Sequence, residues 1–94
     1  MLRITIQEST ELRRFRLDGK LKGDWVRELA HCWTSSLNTG PEKPVTIELS
    51  NVNFIDENGR ALLSCMVSQG TRLEAQGNLV TSELIEQIMN PPKL

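Results

Sequence analysis

The segment Val45–Gly70 reads VTIELSNVNFIDENGRALLSCMVSQG and passes from an apolar strand through a polar loop into a helix with no linker between them. The β-branched run Val45-Thr46-Ile47-Glu48-Leu49, introduced by Pro44, predicts an interior strand covered on at least one face by helices. The apolar pair Phe54-Ile55 then stops at Asp56-Glu57-Asn58-Gly59, after which Leu62, Leu63, Met66 and Val67 recur at helical spacing. Asp56 stands where an N-cap belongs. Its carboxylate can accept the orphan N–H groups of the first turn, and Glu57 adds a second negative charge at the positive end of the helix dipole. The four residues of this loop are thereby held on a rigid pedestal.

The elements on either side follow from periodicity. Leu2-Arg3-Ile4-Thr5-Ile6 alternates with period two and predicts a half-buried strand. After the polar turn Glu8-Ser9-Thr10-Glu11, the run Leu12–Asp18 places Phe15 and Leu17 on one face and Arg14 and Arg16 on the other, so the two runs form a β-hairpin. Gly19 and Gly23 bracket a turn-rich connection. From Asp24, a plausible cap, the apolar stripe Val26, Leu29, Ala30, Trp33, Leu37 predicts a helix ended by Asn38-Thr39-Gly40-Pro41. Trp25 falls about 100° from the centre of that stripe. Two readings of it stand: a ring lying flat over the sheet edge, or an anchor for a protein partner.

Beyond Gly70, Thr71–Gln76 alternates with the polarity of an edge strand. Gly77-Asn78 turns the chain into a last helix from Leu79 or Thr81 to Met89, with Leu84, Ile85 and Ile88 facing inward and Glu83 near its positive end; Asn90-Pro91-Pro92 stops it. The order ββαβαβα calls for an α/β fold, because helix-length crossovers place successive strands parallel, and the opening hairpin makes the sheet mixed. A ferredoxin-like arrangement lacks room for three helices.

Ninety-four residues make one domain, 1–94, able to bury about 60–65% of the surface its unfolded chain exposes, so neither metal nor disulfide is required. Eleven basic against twelve acidic residues leave no footprint for nucleic acid or an anionic membrane. The cluster Arg13, Arg14, Arg16 reads as a solvated strand edge. Cys32 and Cys65 sit in separate helices with no ligand spacing and read as reduced thiols, and His31 as a surface or boundary residue. Glu48, costly if buried, is expected to take hydrogen bonds from backbone N–H groups around Ser50–Asn53 or the next helix start, with a direct role in binding as the second reading. No leader pattern or apolar span is present, which points to a cytoplasmic protein without direct membrane insertion.

Strand, loop and helix together resemble the central segment of the STAS domain family, found in sulfate transporters and anti-sigma factor antagonists. The resemblance is carried by IELSNVNFID, with an acidic residue at Glu48, and by Asp56 and Gly59 of the loop. It implies a small mixed sheet of about four strands with helices mainly on one side. In the antagonists the loop reads Asp-Ser-Ser-Gly and a partner kinase phosphorylates the first Ser. Here Glu57 stands in its place and Asn58 replaces the second Ser.

By that resemblance the chain is expected to be a non-enzymatic, protein-binding module of bacterial signalling and transcription regulation. Its partner would be an anti-sigma factor that is also a kinase-like ATPase, met through Asp56, Glu57, Asn58, Gly59, Arg60 and Trp25. Glu57 has competing readings: a fixed imitation of the phosphorylated state, a relic of a chain that left the kinase circuit and kept only its docking surface, or simply a good first-turn residue. An alternative of another class is a structural accessory subunit of a lipid-trafficking ABC-type transporter ATPase. Enzyme action by Asp56 and Glu57 as paired carboxylates is disfavoured, because adjacent side chains at a helix start diverge by about 100°. No cofactor or metal is called for.

Overall fold

The computed structural model describes residues 2–37, 43–75 and 79–89. The elements run β1 (Leu2–Glu8), β2 (Arg13–Leu21), α1 (Asp24–Leu37), β3 (Val45–Ile55), α2 (Glu57–Ser68), β4 (Arg72–Glu74) and α3 (Leu79–Met89), the expected order ββαβαβα. They form a four-stranded mixed sheet in the order β1-β2-β3-β4, in which β1 is antiparallel to β2 while β3 runs parallel to both β2 and β4.

The period of each strand decides what the sheet covers. Phe15 and Leu17 of β2 and Ile47 and Leu49 of β3 share one face and are fully buried. Val26, Leu29 and Trp33 of α1 and Leu63 and Met66 of α2 close over them, and Ile85 and Ile88 of α3 pack against the same cluster. Each such apolar side chain removed from water contributes about 1.5–3 kcal/mol, which makes this single layer the main source of stability. The opposite face is polar. Arg14 pairs with Glu48 at 3.3 Å and lies 3.9 Å from Glu74, while Asp18 accepts a hydrogen bond from Asn51 at 2.8 Å.

Several boundaries differ from expectation for identifiable reasons. β2 continues through Gly19 to Leu21, where a turn was expected, and β3 continues six residues past Leu49 to Ile55. The reason is two bulges on β3: Arg16–Asp18 faces Glu48–Asn51, and Gly19-Lys20 faces Val52–Phe54. Each inserts a residue and breaks the two-residue alternation. Gly19, with φ 115°, lies on β2 opposite the second bulge, in a backbone conformation that side chains other than glycine rarely adopt. Asp24 is the first residue of α1 rather than its cap; Gly23, φ 57°, precedes it and accepts the Val26 N–H at 3.1 Å.

Arg13 is not solvated. It is 8% exposed, and its guanidinium binds the Glu8 carboxylate together with the carbonyl and hydroxyl of Ser36 near the end of α1. Among the described residues the Glu48 carboxylate is met by the Arg14 guanidinium, at 3.3 Å. Glu83 lies just past the first turn of α3. β4 is shorter than expected and is an edge strand, as its polarity suggested. The expected turns at Asn38-Thr39-Gly40-Pro41 and Gly77-Asn78 and the stop at Asn90-Pro91-Pro92 lie outside the described residues.

Candidate functional site

The site is built at the carboxyl end of β3, and Asp56 is its hinge pin. One carboxylate oxygen caps α2 by accepting the Gly59 N–H at 2.7 Å; the other accepts the Gly23 N–H at 3.0 Å. The backbone of Asp56 adds two more ties, donating to the Leu21 carbonyl at 3.1 Å and accepting from Arg60 N–H at 2.9 Å. One residue thus joins the end of β2, the entry to α1 and the first turn of α2. The Gly23 amide, and then that of Gly59, hold the Asp56 carboxyl below the usual carboxylate range, with the Lys22 charge helping.

Around this pin the expected site residues separate by role. Gly59 is buried, and a Cβ built there would stand 3.0 Å from both Ile55 Cγ2 and the Leu21 carbonyl oxygen. Its lack of a side chain is what lets α2 sit against the end of β2. Glu57, Asn58 and Arg60 are exposed on the outer side of the same turn. Arg60 donates to Gln87 at 3.1 Å and so links α2 to α3. Trp25, 36% exposed, is placed by α1 two residues after the Gly23 tether, at the same end of the sheet.

Phe54 belongs to this end as well and was missed in the sequence. It is 47% exposed and pairs with Lys20 on the polar face of the sheet, one residue before Ile55 returns to the buried side. An apolar pair entering a loop looks like strand core; the bulge beside Asn53 turns its first member outward. The signal was the poor alternation of Ser50-Asn51-Val52-Asn53.

Chemically the arrangement is a presenting surface. Both Asp56 oxygens are committed to amides, so the residue is poorly placed as a general base. Among the described residues no three His, Cys, Asp or Glu side chains are grouped so as to hold a metal ion.

Two of the solved structures that match this arrangement of strands and helices show how closely it is shared. An uncharacterized protein of the DUF3478 family from Shewanella loihica PV-4, described as having a SpoIIAA-like fold, superposes with a TM-score of 0.60 at 17% identity, over 98% of this chain and 82% of that one. The fold is SpoIIAA-like. It is the fold of the STAS-type anti-sigma factor antagonists, as the loop and its flanks implied. The second, a protein called Mglu, gives a TM-score of 0.61 at 22% identity over 80% of this chain but only 19% of that one. No protein-family model and no curated protein matches the chain. In a SpoIIAA-like frame Glu57 occupies the exposed first position of α2. No helix among the described residues is long and apolar enough to cross a membrane.

Proposed function

We propose that this chain is a non-enzymatic, protein-binding regulatory module of the anti-sigma factor antagonist kind, docking through the start of α2. The observation that carries the reading is the double use of the Asp56 carboxylate on Gly23 and Gly59. It immobilises the backbone of the loop while leaving Glu57, Asn58 and Arg60 turned to solvent, with Trp25 exposed two residues after the tethered Gly23. Preorganised polar groups at the same end of the sheet as an exposed tryptophan suit a protein interface, since little ordering entropy remains to be lost on binding. The partner is an anti-sigma factor with a kinase-like ATPase domain.

Glu57 has left the phosphorylation cycle. A phosphoserine carries about −1.5 to −2 charge near pH 7, whereas a glutamate carries one and cannot form a stable phosphate ester. The chain keeps the docking surface and lacks the switch at that position. A photoreactive residue placed at 57 or 58 in native cells tests this: it captures a protein of the anti-sigma factor class, and the same probe at Arg72 on the polar sheet face does not. Capture from position 72 alone would contradict the reading.

A further inference from the structure

The sheet has two edges, and they are not alike. β4 is three residues long, which blunts its edge by brevity. β1 is seven residues long, ends the strand order, and pairs with β2 through seven consecutive positions with no register shift. Among the described residues no strand pairs with its outer side. Of the devices that protect an edge, Leu2–Ile6 has one outward charge, Arg3, and neither a proline, a bulge nor an inward charge. Ile6 is 52% exposed although its register partner Phe15 is fully buried, so the apolar row Leu2, Ile4, Ile6 continues past the cover that the helices provide.

That row is self-complementary in one register. In antiparallel pairing of β1 with a second β1, side chains on the same face meet only when a two-fold axis passes through a residue. An axis through Arg3 would set Arg3 against Arg3, a like-charge pair, and an axis through Thr5 would set Leu2 against Glu8. An axis through Ile4 sets Leu2 against Ile6, Ile4 against Ile4, and Arg3 against Thr5. Every apolar residue then meets an apolar one on the helix side, and each Arg3 keeps its own Asp18 as register neighbour on the polar side.

We infer that the outer edge of β1 is a self-association site, joining two copies about a two-fold axis through Ile4 into one continuous sheet. Four strands from each copy make up that sheet, and Ile6 of one copy is covered by Leu2 of the other. β2 separates this edge from β3, so the α2 start of each copy stays accessible, and the inference stands apart from the docking reading above.

Sedimentation velocity across micromolar to near-millimolar protein tests the assignment. The wild-type chain is expected to dimerise. Ile6→Lys should weaken the dimer about tenfold or more, with an unchanged circular dichroism spectrum and melting curve, while Phe54→Lys, at the other end of the exposed apolar set, should leave it intact. Thr5 reports the register independently of folding effects at Ile6: Thr5→Glu faces Arg3 of the second copy and should tighten the dimer, and Thr5→Lys should loosen it. A wild-type chain that stays monomeric, an Ile6→Lys chain that dimerises as before, equal disruption by Phe54→Lys, or a Thr5→Glu chain that loosens would each overturn the proposal.

Discussion

The carboxylate of Asp56 accepts the amide of Gly23, thirty-three positions earlier in the chain, at 3.0 Å, while its second oxygen caps Gly59 at 2.7 Å. Ordinary N-caps serve only their own helix. Here the cap also fixes the entry to α1, so local helix chemistry and long-range tertiary structure share one side chain. Asp56→Ala removes both tethers and should lower the melting temperature by several degrees. Asp56→Asn should lose less, since asparagine is a good cap with a carbonyl oxygen for Gly59.

The same contacts fix a direction for acid sensitivity. The folded-state pKa of Asp56 is depressed by the Gly23 and Gly59 amides, and that of Glu8 by its hydrogen bond to Arg13 and then by the Arg13 and Lys43 charges. A depressed carboxylate contributes stability that is present above its unfolded pKa and lost as pH falls through the folded value. Stability should therefore hold near neutrality and decline below about pH 4. Asp56→Asn should flatten that decline in a chemical-denaturation series; an unchanged slope would show that the tether has no energetic weight.

Gly59 offers a sharper packing test. A methyl group there would stand 3.0 Å from the Leu21 carbonyl oxygen and 3.1 Å from Leu21 Cγ, and a strand backbone cannot step aside as a flexible side chain would. Gly59→Ala should destabilise the domain by about 1–3 kcal/mol despite improving helix propensity. Urea unfolding checks this, and a more stable variant would contradict the close approach of α2 to β2.

Arg13 ties the hairpin to the far end of α1 through Glu8 and Ser36. Because Glu8 is about half exposed (49% for its side chain), its charge is partly rehydrated when the arginine is lost, which moderates the penalty. Arg13→Ala should cost about 2 kcal/mol, chiefly from the Ser36 groups left in a half-buried setting. Arg13→Met, which keeps most of the volume, should recover part of that in the same unfolding assay.

A further expectation concerns covalent regulation. Incubation with an anti-sigma kinase and ATP should leave residues 56–60 unmodified, since the loop carries no hydroxyl. Phosphate mapped within that segment by mass spectrometry would contradict the proposed departure from the kinase circuit.

The order of elements was legible because each strand and helix carries its own period, and Asp56 as a cap was legible because a carboxylate stood between an apolar pair and a helical stripe. What could not be read were contacts that depend on the register between strands. Gly23 as the second partner of Asp56 requires knowing that β2 ends beside β3. Arg13 looked like one of three equivalent arginines, yet its parity with Phe15 and Leu17 turns it toward the helices while Arg14 and Arg16 face away. Phe54 was hidden by a bulge, which inserts a residue without leaving a distinct mark in composition.

The proposed docking surface for another protein is the exposed turn carrying Glu57, Asn58 and Arg60, steadied by Asp56. Titration calorimetry with the purified partner, comparing wild type with Glu57→Lys, Asn58→Ala and Arg72→Ala, addresses it directly. Glu57→Lys and Asn58→Ala should weaken binding, Glu57→Lys by about tenfold or more, corresponding to about 1.4 kcal/mol, with melting temperature unchanged and with Arg72→Ala indistinguishable from wild type. Unaltered affinity in both loop variants, together with a loss in Arg72→Ala, would contradict it and move the interface to the polar face of the sheet.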